Sequence, residues 1–241
     1  MIPNSVTFLE YEAFERCYNL SSVTIGKGVT FIDKEVFQDC RSLTSLTFLG
    51  NITSIGEYAF GGCFSLPSFT IPSSVTSIGD YAFYGCSNLT SVTIPDNVKK
   101  IGWYAFSGCS EMVFVIISSG VTSINEQAFG NCPKLTDVFC KANNVPSTAV
   151  NTFQGSHVEY ATLHVPANAL NSYKEVAPWS YFGTLVELTQ DDIDAIGSVK
   201  AIEEVTEVAR YDIQGRMISK PQKGINIIRY SDGISKKVLV K

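Results

Sequence analysis

Apolar residues recur through residue 140 at a fixed interval of 23 positions. Every interval keeps the same order of apolar and polar residues, so the copies align into columns. This period predicts a solenoid, in which each turn is one small unit that buries its inner face only against neighbouring turns. Two of the most regular columns hold phenylalanine and cysteine, at Phe14, Phe37, Phe60, Phe83, Phe106 and Phe129, and at Cys17, Cys40, Cys63, Cys86, Cys109 and Cys132.

Each copy also contains a segment with the alternation of a short β-strand. In the copy that begins at Leu89, Val92 and Ile94 alternate with polar residues, and Pro95 and Gly102 mark the following corners. Strands of successive turns should stack about 4.8 Å apart as a parallel sheet. The predicted fold class is therefore a right-handed, β-rich solenoid with a parallel strand sheet and 23-residue turns.

The cysteine column is predicted to serve packing. Its members stand among phenylalanine, alanine and aliphatic columns, and a free cysteine behaves as a small, easily buried hydrophobe. Side chains stacked at the strand spacing of about 4.8 Å are too far apart for a disulfide, which needs Cβ atoms about 3.8 Å apart. Zinc would need converging ligands, and no histidine shares the column. We expect six buried, reduced thiols.

The segment LTSVTIPDNVKKIGWYAFSGC at 89–109 resembles the BspA-type, or Treponema-type, leucine-rich repeat. The resemblance extends in phase over residues 2–140, and degenerate copies follow at 149–156 and 161–188. It implies a leucine-rich-repeat solenoid over residues 1–188, of which 141–188 are degenerate final turns and a cap. It also implies a non-enzymatic surface protein of anaerobic, Bacteroides-like bacteria that adheres to host proteins or other cells. Such proteins normally carry an export signal, and this chain shows none.

The period slips after Cys140. Tyr160, Leu163 and Val165 are expected to be the inward residues of the next strand. A helix should begin near Pro166 and end before Pro178, because Ala169, Leu170, Tyr173 and Val176 have helical spacing. We interpret 166–188 as the apolar lid of the last turn. The aromatic residues Trp179 and Phe182 leave a second interpretation open, a platform on which carbohydrate stacks.

Residues 189–204 have the composition of an acidic linker, and residues 205–241 predict a small, all-β C-terminal module. The module has strand alternation and turn signals at 214–215, 223–224 and 232–233. Its net charge is +5, against −10 for residues 1–204. The stretches YDIQGR and KGINIIR resemble the C-terminal β module of Bacteroidetes exported proteins, some of which are sorting signals. A structural tail packed on the cap is the alternative.

Composition excludes several functions. A net charge of −5 and a pI near 5.1 disfavour a nucleic-acid partner, since phosphate needs a basic face. No apolar run is long enough for a transmembrane segment. Cys140 could pair with His157 or His164, but Cys140 stands in an inward column and His164 in an outward one. No cofactor or metal motif appears, so an enzyme is not expected.

Two classes of function remain. The first is a binding module that recognises a protein or glycan on host or other cells, at the cell surface or outside the cell. The second is a structural spacer or display scaffold without a ligand of its own. A spacer should keep its exposed columns uniform, whereas a binding module should interrupt them locally. A minor alternative is ice binding through the paired outward serine and threonine columns of the first four full turns.

The outward columns are interrupted at one place, which is the candidate binding site. Phe114, Ile116 and Phe139 replace serine and threonine and should project from one strand face, with Asp137 and His164 as the polar edge. A cluster of large apolar side chains at a surface is typical of an interface. The partner is expected to be a ligand protein, the C-terminal module or a second copy of the chain.

The chain also begins in the middle of a turn, on the column of Ile25. An uncapped solenoid edge invites pairing with another chain, so self-association through the N-terminal edge is a further possibility. We expect the native protein to carry additional turns or a cap before residue 1, preceded by an export signal.

Overall fold

A computed structural model describes residues 1–189, 192, 207–211, 224–230 and 235–240. The chain divides into two compact units, Met1–Thr189 and Gln190–Lys241. Most of the predicted linker 189–204 and the predicted turn residues 214–215, 223 and 232–233 lie outside the described residues.

The first unit is a parallel solenoid, as the 23-residue period predicts. One wall is built from four-residue strands, in which Val23 lies beside Leu46 and Val92 beside Val115. A second wall of two-residue strands lies further along each turn and was not predicted. The four-residue strands are β1 (Ser22–Ile25), β2 (Ser45–Phe48), β5 (Ser91–Ile94), β7 (Phe114–Ile117), β9 (Asp137–Cys140), β11 (Thr162–Val165) and β12 (Thr184–Glu187); the two-residue strands are β3 (Ser54–Ile55), β4 (Ser77–Ile78), β6 (Lys100–Ile101), β8 (Ser123–Ile124) and β10 (Ser147–Thr148).

The wall of longer strands is interrupted at residues 68–71, where the period predicts a strand and none forms. Pro67 occupies the column of Thr44, whose N–H donates to the Ser21 carbonyl of the preceding turn. Proline has no N–H, so this bond cannot continue through the third turn. The hydroxyl of Ser68 instead accepts the N–H of Ser91 at 3.1 Å. The wall therefore divides into a two-stranded sheet, β1–β2, and a five-stranded sheet, β5–β7–β9–β11–β12.

The third side of each turn is a tightly turned segment that leads to the cysteine column, and we call it the arc. In the arc of residues 79–86, the N–H groups of Tyr81, Phe83 and Gly85 donate to carbonyls of the next arc at 2.7–2.8 Å. Two residues of an arc take positive φ, for example Tyr81 at 55° and Gly85 at 68°. The second position holds glycine, asparagine or aspartate in six of the seven arcs, and these residues tolerate positive φ; the exception is Arg16 in the first arc, at 56°.

Stacked phenylalanine rings run through the core. Neighbouring rings of the phenylalanine column lie 5.1–5.8 Å apart and within 14° of parallel, from Phe14 to Phe129 and on to Phe153. Apart from the partly buried Phe14 at one end, these rings are buried. Offset aromatic pairs contribute about 0.5–1.5 kcal/mol each beyond the area they bury. The column therefore binds consecutive turns together.

The cysteine column does more than fill space, because each buried thiol donates a hydrogen bond to a phenylalanine carbonyl of the preceding turn. The Sγ–O distance is 3.2 Å for Cys40 and Phe14, and 3.3 Å for Cys86 and Phe60. Ser156 takes this place in the seventh turn and donates to Phe129 at 2.6 Å. The prediction of a buried thiol is wrong for Cys17, which is exposed.

The last turn is closed by residues 158–187. A 3-10 turn at Val158–Tyr160 precedes β11, and a second at Ala167–Ala169 leads directly into helix α1, which spans Leu170–Glu175. A third 3-10 turn at Trp179–Tyr181 precedes β12. The expectation for Tyr160 is wrong: its side chain is 86% exposed, and Val158 is buried instead. Helix α1 also stops before Val176, which is 40% exposed.

Trp179 and Phe182 end the phenylalanine column. Both are buried, and their rings meet Phe153 edge-on at 5.6 and 5.2 Å. A buried ring offers no face to a sugar, so these two residues do not form a carbohydrate platform. They supply the apolar lid that the last turn of a solenoid needs.

The second unit contains an antiparallel three-stranded sheet. Its strands are β13 (Glu207–Tyr211), β14 (Gly224–Tyr230) and β15 (Ser235–Val240), in the order β13–β14–β15. All three strands fall within the predicted module of residues 205–241.

Candidate functional site

The predicted site residues lie together on the outward face of β7, β9 and β11. We call Phe114, Ile116, Asp137, Phe139 and His164 the strand-face cluster. In the register of the sheet, Phe139 lies between Ile116 and His164, and Asp137 lies beside Phe114. Alternation along each strand places these side chains on one face.

The cluster is more closed than the sequence suggested. The rings of Phe139 and His164 stack with centroids 4.3 Å apart, and Nε2 of His164 lies 3.1 Å from Oδ1 of Asp137. Ile116 is only 1% exposed, so the expectation that it projects into solvent is wrong. Its strand neighbours are Thr93 on one side and the ring of Phe139 on the other. Phe114, Asp137, Phe139 and His164 are partly buried.

The histidines and cysteines do not come together for catalysis. Cys140 is buried, and its Sγ lies 3.1 Å from the hydroxyl of Tyr173, while His157 lies 3.4 Å from Glu159 at the surface. Burial raises the pKa of the Cys140 thiol, which disfavours the nucleophilic thiolate. Within the described residues, no group of three acidic, cysteine or histidine side chains has the arrangement of a metal site.

A second candidate surface lies on the arcs and was not singled out from the sequence. We call Tyr58, Tyr81, Tyr84, Trp103 and Tyr104 the aromatic arc surface. The rings of Tyr58, Tyr81 and Tyr104 stack with centroids 4.5 and 4.9 Å apart, tilted by only 3°. Tyr84 meets Tyr81 edge-on at 5.7 Å. Trp103 is 53% exposed and Tyr84 is 44% exposed.

Carboxylates lie near the tyrosines of the aromatic arc surface, and one of them, Glu57, pairs with Lys34 at 3.3 Å. Desolvation is the main reason that the pKa values of Tyr58 and Tyr81 are raised, and nearby carboxylates add to it. The charge of Glu57 contributes to the raised pKa of both tyrosines, and that of Asp80 contributes to the raised pKa of Tyr81. One feature of the sequence could have indicated the aromatic arc surface, because tyrosine precedes the Ala-Phe pair in three consecutive copies. The sequence did not show that these tyrosines are accessible, because neighbouring positions of the same motif are buried.

The column directly after the cysteines holds a cation between two rings. The guanidinium carbon of Arg41 lies 4.8 Å from the ring centroid of Tyr18 and 5.5 Å from that of Phe64. Both distances are within the range of a cation–π contact. Arg41 also pairs with Asp39 at 3.3 Å. The surface that follows the arcs therefore holds a basic side chain between two aromatic residues.

A third feature is an open groove of about 540 Å³ beside the last arc, residues 149–156. One wall is that arc, with Asn151, Phe153 and Gly155, and the other includes Pro178 and Tyr181. His157 and Glu159 line the groove as well, so its lining mixes apolar and polar groups.

In the part of the chain that the structure describes, no helix is long and apolar enough to cross a membrane.

Comparison with known families gives one match. The family described as "BspA type Leucine rich repeat region" matches residues 1–80 and 53–174 in six copies, which is more than half of the chain. No curated protein matches the sequence.

Solved structures share the fold. The pneumococcal vaccine antigen PcpA is 20% identical with a TM-score of 0.60, over 73% of this chain and 42% of that one. The leucine-rich repeat protein of T. pallidum is 19% identical with a TM-score of 0.52, over 74% of this chain and 83% of that one. This chain thus spans less than half of the PcpA chain, and both likenesses concern the fold alone.

Proposed function

Because this chain belongs to the BspA-type leucine-rich repeat family, we propose that it is a non-catalytic binding protein of a bacterial cell surface. Members of this family are bacterial surface proteins, and no enzyme family matches the chain. We propose a protein on a host cell or another cell as the partner, bound through the outer surface of the solenoid. The finer assignment to adhesion is part of the same proposal.

The aromatic arc surface is the observation that carries the proposal. Tyrosine and tryptophan are enriched at protein interfaces because they combine a large apolar area with a polar group. Trp103 and Tyr84 are well exposed. Tyr84 meets the stack of three tyrosine rings edge-on at Tyr81, and Trp103 directly precedes Tyr104, the last ring of that stack. Rings that are held in place before binding lose little conformational entropy when a partner docks.

The strand-face cluster is the second candidate contact. The specific observation in its favour is that Phe139, His164 and Asp137 form one connected group where the serine and threonine columns end. A glycan partner is a less favoured alternative, since stacking covers the faces of the tyrosine rings on which a sugar would pack. A structural spacer without a ligand is the other alternative to binding.

Two double variants separate these candidates. Trp103→Ser with Tyr84→Ser removes the two most exposed rings of the aromatic arc surface, and Phe114→Ser with Phe139→Ser removes the two partly exposed apolar side chains of the strand-face cluster and leaves the buried Ile116 in place. Each is compared with the unchanged chain for binding to a panel of matrix proteins, glycans and whole cells, with circular dichroism as the folding control. We expect the arc variant to lose at least about 30-fold in affinity, since the best interface residues contribute about 2 kcal/mol or more.

The outcomes differ in meaning. If only the strand-face variant loses binding, the contact lies on the strand-face cluster and not on the aromatic arc surface. If the unchanged chain binds only glycans in the panel, the partner is a glycan and not a protein. If the unchanged chain binds nothing in the panel and cells displaying it adhere no better than cells without it, the spacer interpretation replaces the proposal.

A further inference from the structure

The arcs are joined by a repeated set of backbone hydrogen bonds that all run in one direction. Each of the first five arcs donates three N–H groups, at alternate residues, to three carbonyls of the following arc. The fifth arc shows the pattern, with Tyr104 donating to Glu126, Phe106 to Ala128 and Gly108 to Gly130, at 2.8–3.0 Å. The sixth arc continues it, with Phe129 donating to Thr152 and Asn131 to Gln154.

The last arc has the donors but no following arc. Its equivalent N–H groups belong to Asn151, Phe153 and Gly155. Nothing among the described residues accepts a hydrogen bond from these three groups. The carbonyls of the same arc are used normally, since those of Thr152 and Gln154 accept from the sixth arc. The solenoid therefore ends on this side with a row of backbone donors.

The cap covers the core of the last turn but leaves this row open. Trp179 and Phe182 close the phenylalanine column at Phe153, so the apolar interior is sealed. The groove of about 540 Å³ lies between the last arc and residues Pro178 and Tyr181. Its lining includes Asn151, Phe153 and Gly155, which carry the three donors.

The geometry points to a peptide-binding groove at the last arc, which takes the backbone of a partner segment folded like one arc of this protein. The segment supplies three carbonyls at alternate residues and so continues the hydrogen-bond pattern by one step. Open backbone edges pair with added segments in this manner in peptide-recognition domains. The groove lies at the end of the solenoid, so this inference does not depend on the aromatic arc surface.

The protein itself indicates the shape of the occupant. In residues 79–86, the carbonyls of Asp80, Ala82 and Tyr84 accept three N–H groups at 2.7–3.0 Å. The occupant needs a small residue at the central position, where the first six arcs have alanine or valine. The occupant needs no aromatic side chain to stack on Phe153, because Trp179 and Phe182 already cover that ring. The partner is thus a turn-forming peptide with small residues, and its affinity comes mainly from the backbone.

The test uses the full chain and a synthetic peptide with the sequence of residues 79–86, in which serine replaces both the phenylalanine and the cysteine, because Trp179 and Phe182 already occupy the space that the phenylalanine ring would need. A control peptide carries proline in place of the alanine. Proline keeps the preceding residue out of the positive-φ conformation that the arc requires at Tyr81. Amide signals and amide hydrogen exchange of the chain are followed by nuclear magnetic resonance during the titration.

We expect the signals of Asn151, Phe153 and Gly155 to shift with the first peptide and not with the control. Their exchange should slow at least about 10-fold in the complex, whereas Phe129 and Asn131 stay protected throughout. Val150→Arg places a bulky charge at the groove, since Val150 is 67% exposed there, and it should abolish the shifts. Val113→Arg changes an exposed valine outside the groove and should leave them intact.

Three results would overturn the inference. One is protection of the three amides in the free chain at every concentration, because the donors would then already be bonded. Another is binding of the peptide without any shift of these amides. The third is protection that rises with the concentration of the chain alone, which would make a second copy the occupant.

Discussion

Replacing Phe83 by alanine tests whether the phenylalanine column holds the turns together. Phe83 is buried in the middle of the column, and its ring lies 5.3 Å from that of Phe60 and 5.1 Å from that of Phe106. Phe69 approaches from the side at 5.1 Å. The substitution removes three ring contacts and leaves a cavity between two turns whose backbones are hydrogen-bonded together.

We expect a loss of about 3–5 kcal/mol in the free energy of unfolding, the usual range for emptying an aromatic core site. The value should fall in the upper half of this range, since inter-turn hydrogen bonds on both sides prevent the cavity from collapsing. Urea unfolding, followed by circular dichroism and by tryptophan fluorescence, measures the change. The two probes must coincide, because turns that contact only their neighbours can unfold separately.

Tyr160→Ala is the control, since Tyr160 is 86% exposed and its loss should change stability by no more than about 0.5 kcal/mol. A loss below about 1 kcal/mol for Phe83→Ala, with an unchanged urea dependence, would refute the argument. The rings would then contribute little beyond filling space that other side chains can occupy.

Two further predictions concern the cysteine column. In the native chain at pH 8, a thiol reagent should modify Cys17 rapidly and the other six cysteines only after unfolding. Burial raises the pKa of Cys40, Cys86 and Cys132 to about 12, so the reactive thiolate is scarce at these positions. Rapid reaction of a second thiol in the folded chain would contradict this prediction. Ser156→Ala should lower the free energy of unfolding in urea by about 1–3 kcal/mol, because the hydroxyl donates to the Phe129 carbonyl and accepts the Cys132 N–H. Ser156→Cys should lower it less, because a thiol can still donate to Phe129. Equal losses for the two variants would show that the bond to Phe129 has no role.

The period of the sequence determined most of the first unit. In a solenoid each residue packs against its counterpart one turn later, so residues that are one period apart in the chain are in contact in space. That is why the burial of Phe83 and Cys86, the pairing of Val92 with Val115 and the convergence of Phe139 and His164 followed from the residues alone. The apolar lid that closes the last turn was predicted for a different reason, because the period slips after Cys140 and the last turn of a solenoid needs an apolar cover.

Accessibility and the direction of hydrogen bonds were decided by the tertiary structure. The column of Ile116 indicated only that its side chain faces outward, whereas its 1% exposure depends on everything around it. The break at Pro67 needed the knowledge that its column donates an N–H to the preceding turn. The exposure of Trp103 depends on the path of the arc, which no apolar alternation records. Among the described residues, the N–H groups of Asn151, Phe153 and Gly155 have no acceptor, because the cap ends the stack of rings without continuing the backbone pattern. The side-chain columns alone did not show which backbone N–H groups would lack an acceptor.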